Sequence, residues 1–468
     1  MARTSTRFPT ELLVELHKDD PLPLHRQLEQ ELRGAIRAGR LQPDTALPST
    51  RVLADQLDLS RGVVVEAYEQ LLAEGYLTSV PGGATRVATR AAAAIPPARR
   101  SETTSTIHID FAYGRPDVTL FPRQVWLRSL RRVLIEAPSE RLTYLDRRGA
   151  PELRDALAAY LNRVRGTAAQ PDDIIVCNGF AQAIDLVTQL VKARGGRRIA
   201  IEDPGDADGR GAVIRHGLQT VPLPVDEGGI SVEALRASDA DAVFLTPAHH
   251  YPTGAVMAPD RRAELLVWAD ERDALILEDD YDAEYRYDRD PIGAIHGLAP
   301  ERVIYAGSAS KTLAPGLRLG WMVVPHELVD PLAALKEAND RGSASLDQLA
   351  FADFLSKGEF DRHLRRMRPI YRERRDAMLD ALARYLPDVR TTGASAGLHV
   401  LALLPRHVDE ATVIERALAS GVKVTGLRHT YHDPDAARGG LILGYGQVSA
   451  AQIDEGVRLL ATAIGTAG

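Results

Sequence analysis

The residues with the most chemical content lie in GSASKTLAPGLRLGW, 307–321. Lys311 is closely preceded by Ser308 and Ser310, and Arg318 follows seven residues later. A lysine amine condenses with an aldehyde, and hydroxyls with a guanidinium can hold a phosphate. The set therefore suits a phosphorylated aldehyde, whereas a lysine without such neighbours is ordinarily a solvated surface charge. Upstream, in DALILEDDYDAEY (273–285), an apolar run ends in acids. A carboxylate beside a pyridine nitrogen keeps that nitrogen protonated and makes the ring an electron sink. Asp280, Asp282 and Glu284 read as a solvated acidic cluster. In DIIVCNGFAQAIDLVTQLV (173–191), Gly179 stands between a β-like run and a helix with Ile184, Val187 and Leu190 on one face. Such a turn presents backbone N–H groups to an anion. TPAHHYPTG (246–254) is a Pro/Gly-rich turn after another apolar run; His249 and His250 read as loop histidines without a ligand.

Elements that position these groups follow from the pattern around them. Short apolar runs alternate with helical periodicities after residue 109, which predicts an α/β fold with a mainly parallel sheet. Ligands of such sheets bind beyond the carboxyl ends of the strands, where the acids of 278–284 fall. A chain of 468 residues exceeds one core, so two or three domains are expected. Residues 88–106, ATRAAAAIPPARRSETTST, are rich in Ala, Pro and Ser/Thr and suit a linker. The expected division is a small domain over 1–88, a linker over 89–108 and a main domain over 109–468. Cys177 is the only cysteine, which excludes an intrachain disulfide and reads as a small buried apolar residue. No stretch reaches the roughly 18 apolar residues of a membrane span, and no signal peptide is evident. A cytoplasmic location is expected, with no membrane contact and no metal. Net charge is −7, but the first hundred residues are nearly balanced, so any contact with nucleic acid must use a local patch.

The small domain carries its own pattern. Leu24, Leu28, Leu32 and Ile36 recur four apart, a helical stripe. Ser49 opens a short helix with Leu53 and Leu57 inward, and Ser60 opens another with Val64, Ala67, Leu71 and Leu72 inward. Two short helices joined by a tight turn are a helix-turn-helix signature. YLTSVPGGATRVA, 76–88, reads as a hairpin, hence a wing.

The ordered motifs LPSTRVLA, LSR, AY and EGYL strongly resemble the GntR family of winged-helix regulators. That resemblance implies contacts with double-stranded DNA from Ser49, Arg51, Ser60, Arg61 and the wing near Thr85. Ala84 stands where the family's wing usually has glycine. Residues 109–468 resemble fold-type I aminotransferases. This implies pyridoxal 5′-phosphate as cofactor, Lys311 as its Schiff-base lysine, Asp279 as partner of the pyridine nitrogen and Tyr281 near the ring hydroxyl. It also implies Ser308, Ser310, Arg318 and the amides at Gly179, Phe180 and Ala181 as phosphate ligands, with Arg428 as candidate for an effector carboxylate. The two resemblances in one chain describe the MocR/GabR architecture, a homodimeric regulator, head-to-tail and domain-swapped, that senses the cofactor or an amino compound. In EDPGDADGR (202–210), Asp206 occupies the place where the family usually stacks an aromatic on the ring. Two other readings stay open from sequence: a working aminotransferase with an incidental DNA-binding domain, and a DNA-binding protein whose cofactor site has decayed.

Overall fold

The computed structural model describes residues 16–80, 83–89, 107–144, 146–282, 284–287 and 292–465. The chain divides into two compact units, Met1–Thr103 and Thr104–Gly468.

In the first unit, helices α1 (Leu24–Arg37), α2 (Thr50–Leu57) and α3 (Arg61–Ala73) precede a small antiparallel pair, β1 (Leu77–Thr78) and β2 (Arg86–Val87). Leu28, Leu32 and Ile36 of α1 are buried with Leu53, Val64, Ala67 and Leu71. Tyr68 joins this core as well, because its hydroxyl finds the Pro48 carbonyl at 3.1 Å. Leu72 is only partly buried, and Leu57 packs at the core's margin. Ser49 caps α2 by accepting from the Val52 N–H at 3.3 Å. Ser60 stands at the cap position of α3, but its hydroxyl makes no capping bond, a correction to the expectation. Pro81 and Gly82 of the expected wing, and most of the expected linker, 90–106, lie outside the described residues.

The second unit is built on an eight-stranded sheet. Across it, the order is Ile174–Cys177, Gly320–Val323, Val303–Ser308, Leu275–Asp280, Ala242–Leu245, Arg198–Asp203, Gln219–Asp226 and Gly229–Ile230. The strands from Val303–Ser308 to Gln219–Asp226 pair in parallel. Gly320–Val323 runs antiparallel to both of its neighbours. Alternation sorts the side chains by face. Leu275, Leu277, Ile304 and Ala306 pack with the helix Phe180–Ala193, while Ile276 and Val303 pack with Leu265 and Trp268 of the helix Pro259–Arg272. A smaller antiparallel sheet, Arg390–Thr392, His399–Leu403, Gly440–Gly444 and Thr425–Gly426, follows towards the C-terminus.

Candidate functional site

Alternation along Leu275–Asp280 continues into its acids. Asp279 shares the face of Leu275 and Leu277, and Asp280 the opposite one. Asp280 is 5% exposed. Its Oδ2 accepts from Arg165 Nε at 2.6 Å and from the Tyr305 hydroxyl at 2.7 Å. Tyr305 lies on the next strand, which pairs in parallel at Glu278. Asp282 is buried and accepts from His249, 3.0 Å from its Oδ2. Glu284 is partly buried. The expected solvated cluster is thus corrected: burial behind the sheet leaves Asp280 and Asp282 to find partners inside the protein.

Asp279 faces a cavity of about 540 Å³ that also holds Lys311, Tyr281, Ser308, Ser310, Arg318, Phe180 and Ala181. Strand parity explains the grouping, since Ser308 continues the face of Ile304 and Ala306 beside Asp279. Neither the Asp279 carboxyl nor the Lys311 amine has a hydrogen-bond or ion-pair partner among the described residues. Burial lowers the Lys311 pKa, opposed by Asp279, Asp282 and Asp206. Burial raises that of Asp279 well above the carboxylate range, and the nearby Asp206 adds to it.

At one end of the cavity the backbone builds an anion cradle. Gly179, with φ +85°, caps the helix Phe180–Ala193. A side chain there would meet the strained left-handed region and also the Arg318 guanidinium, 2.9 Å from an added Cβ. Arg318 donates to the Asn178 carbonyl at the same turn. The Ser308 hydroxyl donates to Ser310 Oγ at 2.8 Å and accepts from the Ser310 N–H at 3.0 Å. An open helix N-terminus, two hydroxyls and a guanidinium suit a phosphate.

Asp206 also lines the cavity. Its carboxylate caps the helix Ala207–Arg215, accepting from the Asp208 and Gly209 N–H groups at 3.1 and 3.0 Å. Besides Phe180 and Tyr281, the cavity's aromatic lining includes Tyr113 and Tyr251, stacked with centroids 4.8 Å apart.

Comparison with known proteins matches two family models to this chain. "Bacterial regulatory proteins, gntR family" covers residues 24–87, and "Aminotransferase class I and II" covers residues 106–439. The probable rhizopine catabolism regulatory protein MocR of Rhizobium meliloti is 35% identical, over 96% of each chain. The chain belongs to the MocR/GabR-type family. The pyridoxine biosynthesis transcriptional regulator PdxR of Corynebacterium glutamicum is 32% identical, over 93% of this chain and 95% of its own. Among solved structures, Pyrococcus horikoshii kynurenine aminotransferase superposes with a TM-score of 0.71 at 29% identity, over 78% of this chain and 92% of its own. The protein is accordingly a helix-turn-helix transcription regulator with an aminotransferase-like unit.

Other expected positions in this MocR/GabR-type chain fall as follows. Arg428 is not among the residues lining the cavity. The buried Glu410 accepts from the N–H groups of Leu427, Arg428 and Gly440, which ties this segment to the helix Glu410–Ala419. The Arg428 guanidinium lies 3.7 Å from Asp409. His249 and His250 are buried and partnered rather than free loop histidines. His250 joins Thr253 Oγ1 and the Pro204 carbonyl, at 2.7 and 3.0 Å. In the first unit, Ser49, Arg51, Ser60 and Arg61 are exposed and Thr85 is partly buried. Arg61 Nε approaches Thr50 Oγ1 at 3.4 Å, and Arg51 has no partner among the described residues. Sequence reasoning missed Tyr113, Thr246 and Arg215 as cavity residues. Tyr113 and Arg215 carry no spacing signal that would find them; Thr246 opens the noted turn.

Proposed function

We propose that this regulator binds pyridoxal 5′-phosphate in the 540 Å³ cavity and answers the cofactor, alone or with an amino compound, by changing how it holds DNA. The observation that carries the reading is the pair of unpartnered groups, Lys311 amine and Asp279 carboxyl, facing one cavity whose far end is an anion cradle. These residues fit the cofactor. When bound, it supplies an aldehyde that condenses with a primary amine and a pyridine ring that draws electrons. Lys311 offers the amine, and burial favours its neutral, nucleophilic form. Asp279 would accept from the protonated ring nitrogen, whose positive charge would favour the ionised carboxylate against the burial that raises its pKa. Ser308, Ser310, Arg318 and the amides from Gly179 to Ala181 hold the phosphate. Tyr281 meets the ring hydroxyl.

Double-stranded DNA is the partner of the first unit. Arg61, at the N-terminus of α3, enters the major groove, while Ser49, Arg51, Ser60 and Thr85 contact the flanking backbone. The working form is a homodimer in the cytoplasm. Exposed Leu127, Leu134 and Ile135 on the helix Arg123–Glu136, with nearby Leu142 and Tyr144, support self-association. Among the described residues no helix is long and apolar enough to cross a membrane.

The test is fluorescence anisotropy on the gene's own upstream DNA, with and without pyridoxal 5′-phosphate. The cofactor should change the affinity of the wild type and leave Lys311→Ala unaffected. Equal responses in the two proteins would contradict the coupling.

A further inference from the structure

The strands Ala242–Leu245 and Leu275–Asp280 lie side by side in parallel, with Leu245 opposite Glu278. Their carboxyl ends therefore release two loops next to each other, which brings His249 against Tyr281 and Asp282. His249 and Asp282 are each 2% exposed. His249 Nδ1 lies 3.1 and 3.0 Å from the two Asp282 oxygens and 3.2 Å from the Tyr281 hydroxyl. One ring nitrogen thus serves both neighbours.

The chemistry of the donors decides which way the bonds run. An ionised carboxylate only accepts, so Nδ1 carries the proton and donates a hydrogen bond to Asp282. A nitrogen that holds its proton cannot also accept, so towards Nδ1 the Tyr281 oxygen is the acceptor. The Tyr281 proton is then left for another partner, and Tyr281 lines the cavity that holds Lys311 and Asp279. Room for the pair is made by a glycine. At Gly397, with φ +77°, an added Cβ would stand 2.3 Å from Asp282 Oδ2 and 2.6 Å from His249 Cε1, so any other residue there would displace both side chains.

We propose that Asp282 and His249 are positioning residues that hold Tyr281 as a hydrogen-bond donor into the cavity, towards the ring oxygen of the bound cofactor. The proposal rests on the cofactor reading above. Asp282 selects the tautomer of His249, and His249 selects the direction in which Tyr281 spends its proton. Other titratable groups facing Tyr281 are Asp279 from its own strand, Tyr251 and Glu202; those facing Lys311 are Asp279, Asp282, Asp206 and Arg115.

The experiment is a spectroscopic pH titration of full-length protein loaded with pyridoxal 5′-phosphate, following the visible absorption band. A donor to the ring oxygen stabilises its anionic form, so losing it raises the apparent pKa of the transition. Tyr281→Phe, His249→Phe and Asp282→Ala should each raise it by about half a unit or more, a threefold change or more in the ionisation constant. His249→Asn, whose amide N–H₂ can stand near Nδ1, should restore most of the shift. Adding His249→Phe to Tyr281→Phe should move the transition no further, because both remove the same bond. Circular dichroism of each variant separates these effects from misfolding. An unmoved transition in a folded His249→Phe, or full additivity in the double variant, overturns the proposal and leaves the cofactor reading intact. A wild type that acquires no visible band overturns both.

Discussion

At Asp206 two requirements compete for one side chain. The carboxylate caps the helix Ala207–Arg215 through two backbone N–H groups, and the same residue lines the cavity, where the sequence resemblance leads to the expectation of a stacking aromatic. Exchanging it for tyrosine removes the cap, worth about 0.5–2 kcal/mol, and adds stacking on the bound ring, about 0.5–1.5 kcal/mol beyond burial. Asp206→Tyr is therefore expected to tighten pyridoxal 5′-phosphate binding while lowering the melting temperature of the unloaded protein. Fluorescence titration and a thermal melt on the same sample check both signs; unchanged or weaker affinity would place the ring elsewhere. The acids near Asp279 show how far single residues could be read from sequence. Their position at the end of an apolar strand was evident, but their partners were not. Asp280 meets Arg165, 115 positions away in sequence, and no local pattern announces such a pairing. His249 read as an unliganded loop histidine for the same reason, since its partner Asp282 lies on a neighbouring loop.

Helices and strands were more readable than contacts, because periodicity is local. Of the stripe Leu24, Leu28, Leu32 and Ile36, the last three form the buried face of α1 while Leu24 is only partly buried, and Ser49 caps α2 as its position suggested. Tyr68, which the expected inward set of α3 does not include, is buried with its hydroxyl satisfied by the carbonyl of Pro48, twenty positions away. Ser60 has the right residue type for a cap without the bond. Two predictions follow from this difference. Ser49→Ala should cost about 1 kcal/mol in stability, whereas Ser60→Ala should cost far less in chemical denaturation and act chiefly on DNA binding. Comparable losses of stability in both would mean that the Ser60 hydroxyl caps α3 after all. At the start of α3, Arg61→Ala should weaken operator binding by roughly 1–3 kcal/mol and relax specificity at one position per half-site. Arg51→Ala should weaken binding to all sequences and lessen the salt dependence. Anisotropy on specific and scrambled duplexes at several salt concentrations separates the two.

Across the whole second unit, the site hangs on contacts between distant segments, and some of these are titratable. His363, buried on the helix Glu359–Tyr385, shares a hydrogen bond with the Thr312 carbonyl at 2.9 Å, next to Lys311. Burial lowers its pKa to about 4. The unfolded chain takes up a proton below about 6.5 that the folded chain refuses, so this histidine costs stability progressively as pH falls from about 6.5 to about 4. Above that window it has no effect. His363→Gln keeps a donor for Thr312 but cannot titrate. The stability difference between wild type and variant should therefore shift in favour of the variant as pH falls through the window, by up to about 1.4 kcal/mol per pH unit. A difference that stays flat from pH 7 to pH 4 would mean that His363 protonates freely in the folded state.

Every role assigned to the cavity depends on the amine of Lys311. Full-length protein incubated with pyridoxal 5′-phosphate, reduced with borohydride, digested and read by mass spectrometry tests it directly. The label is expected on the peptide containing Lys311 and absent from the Lys311→Ala variant. A label of equal yield on that variant, or none on the wild type, would contradict it.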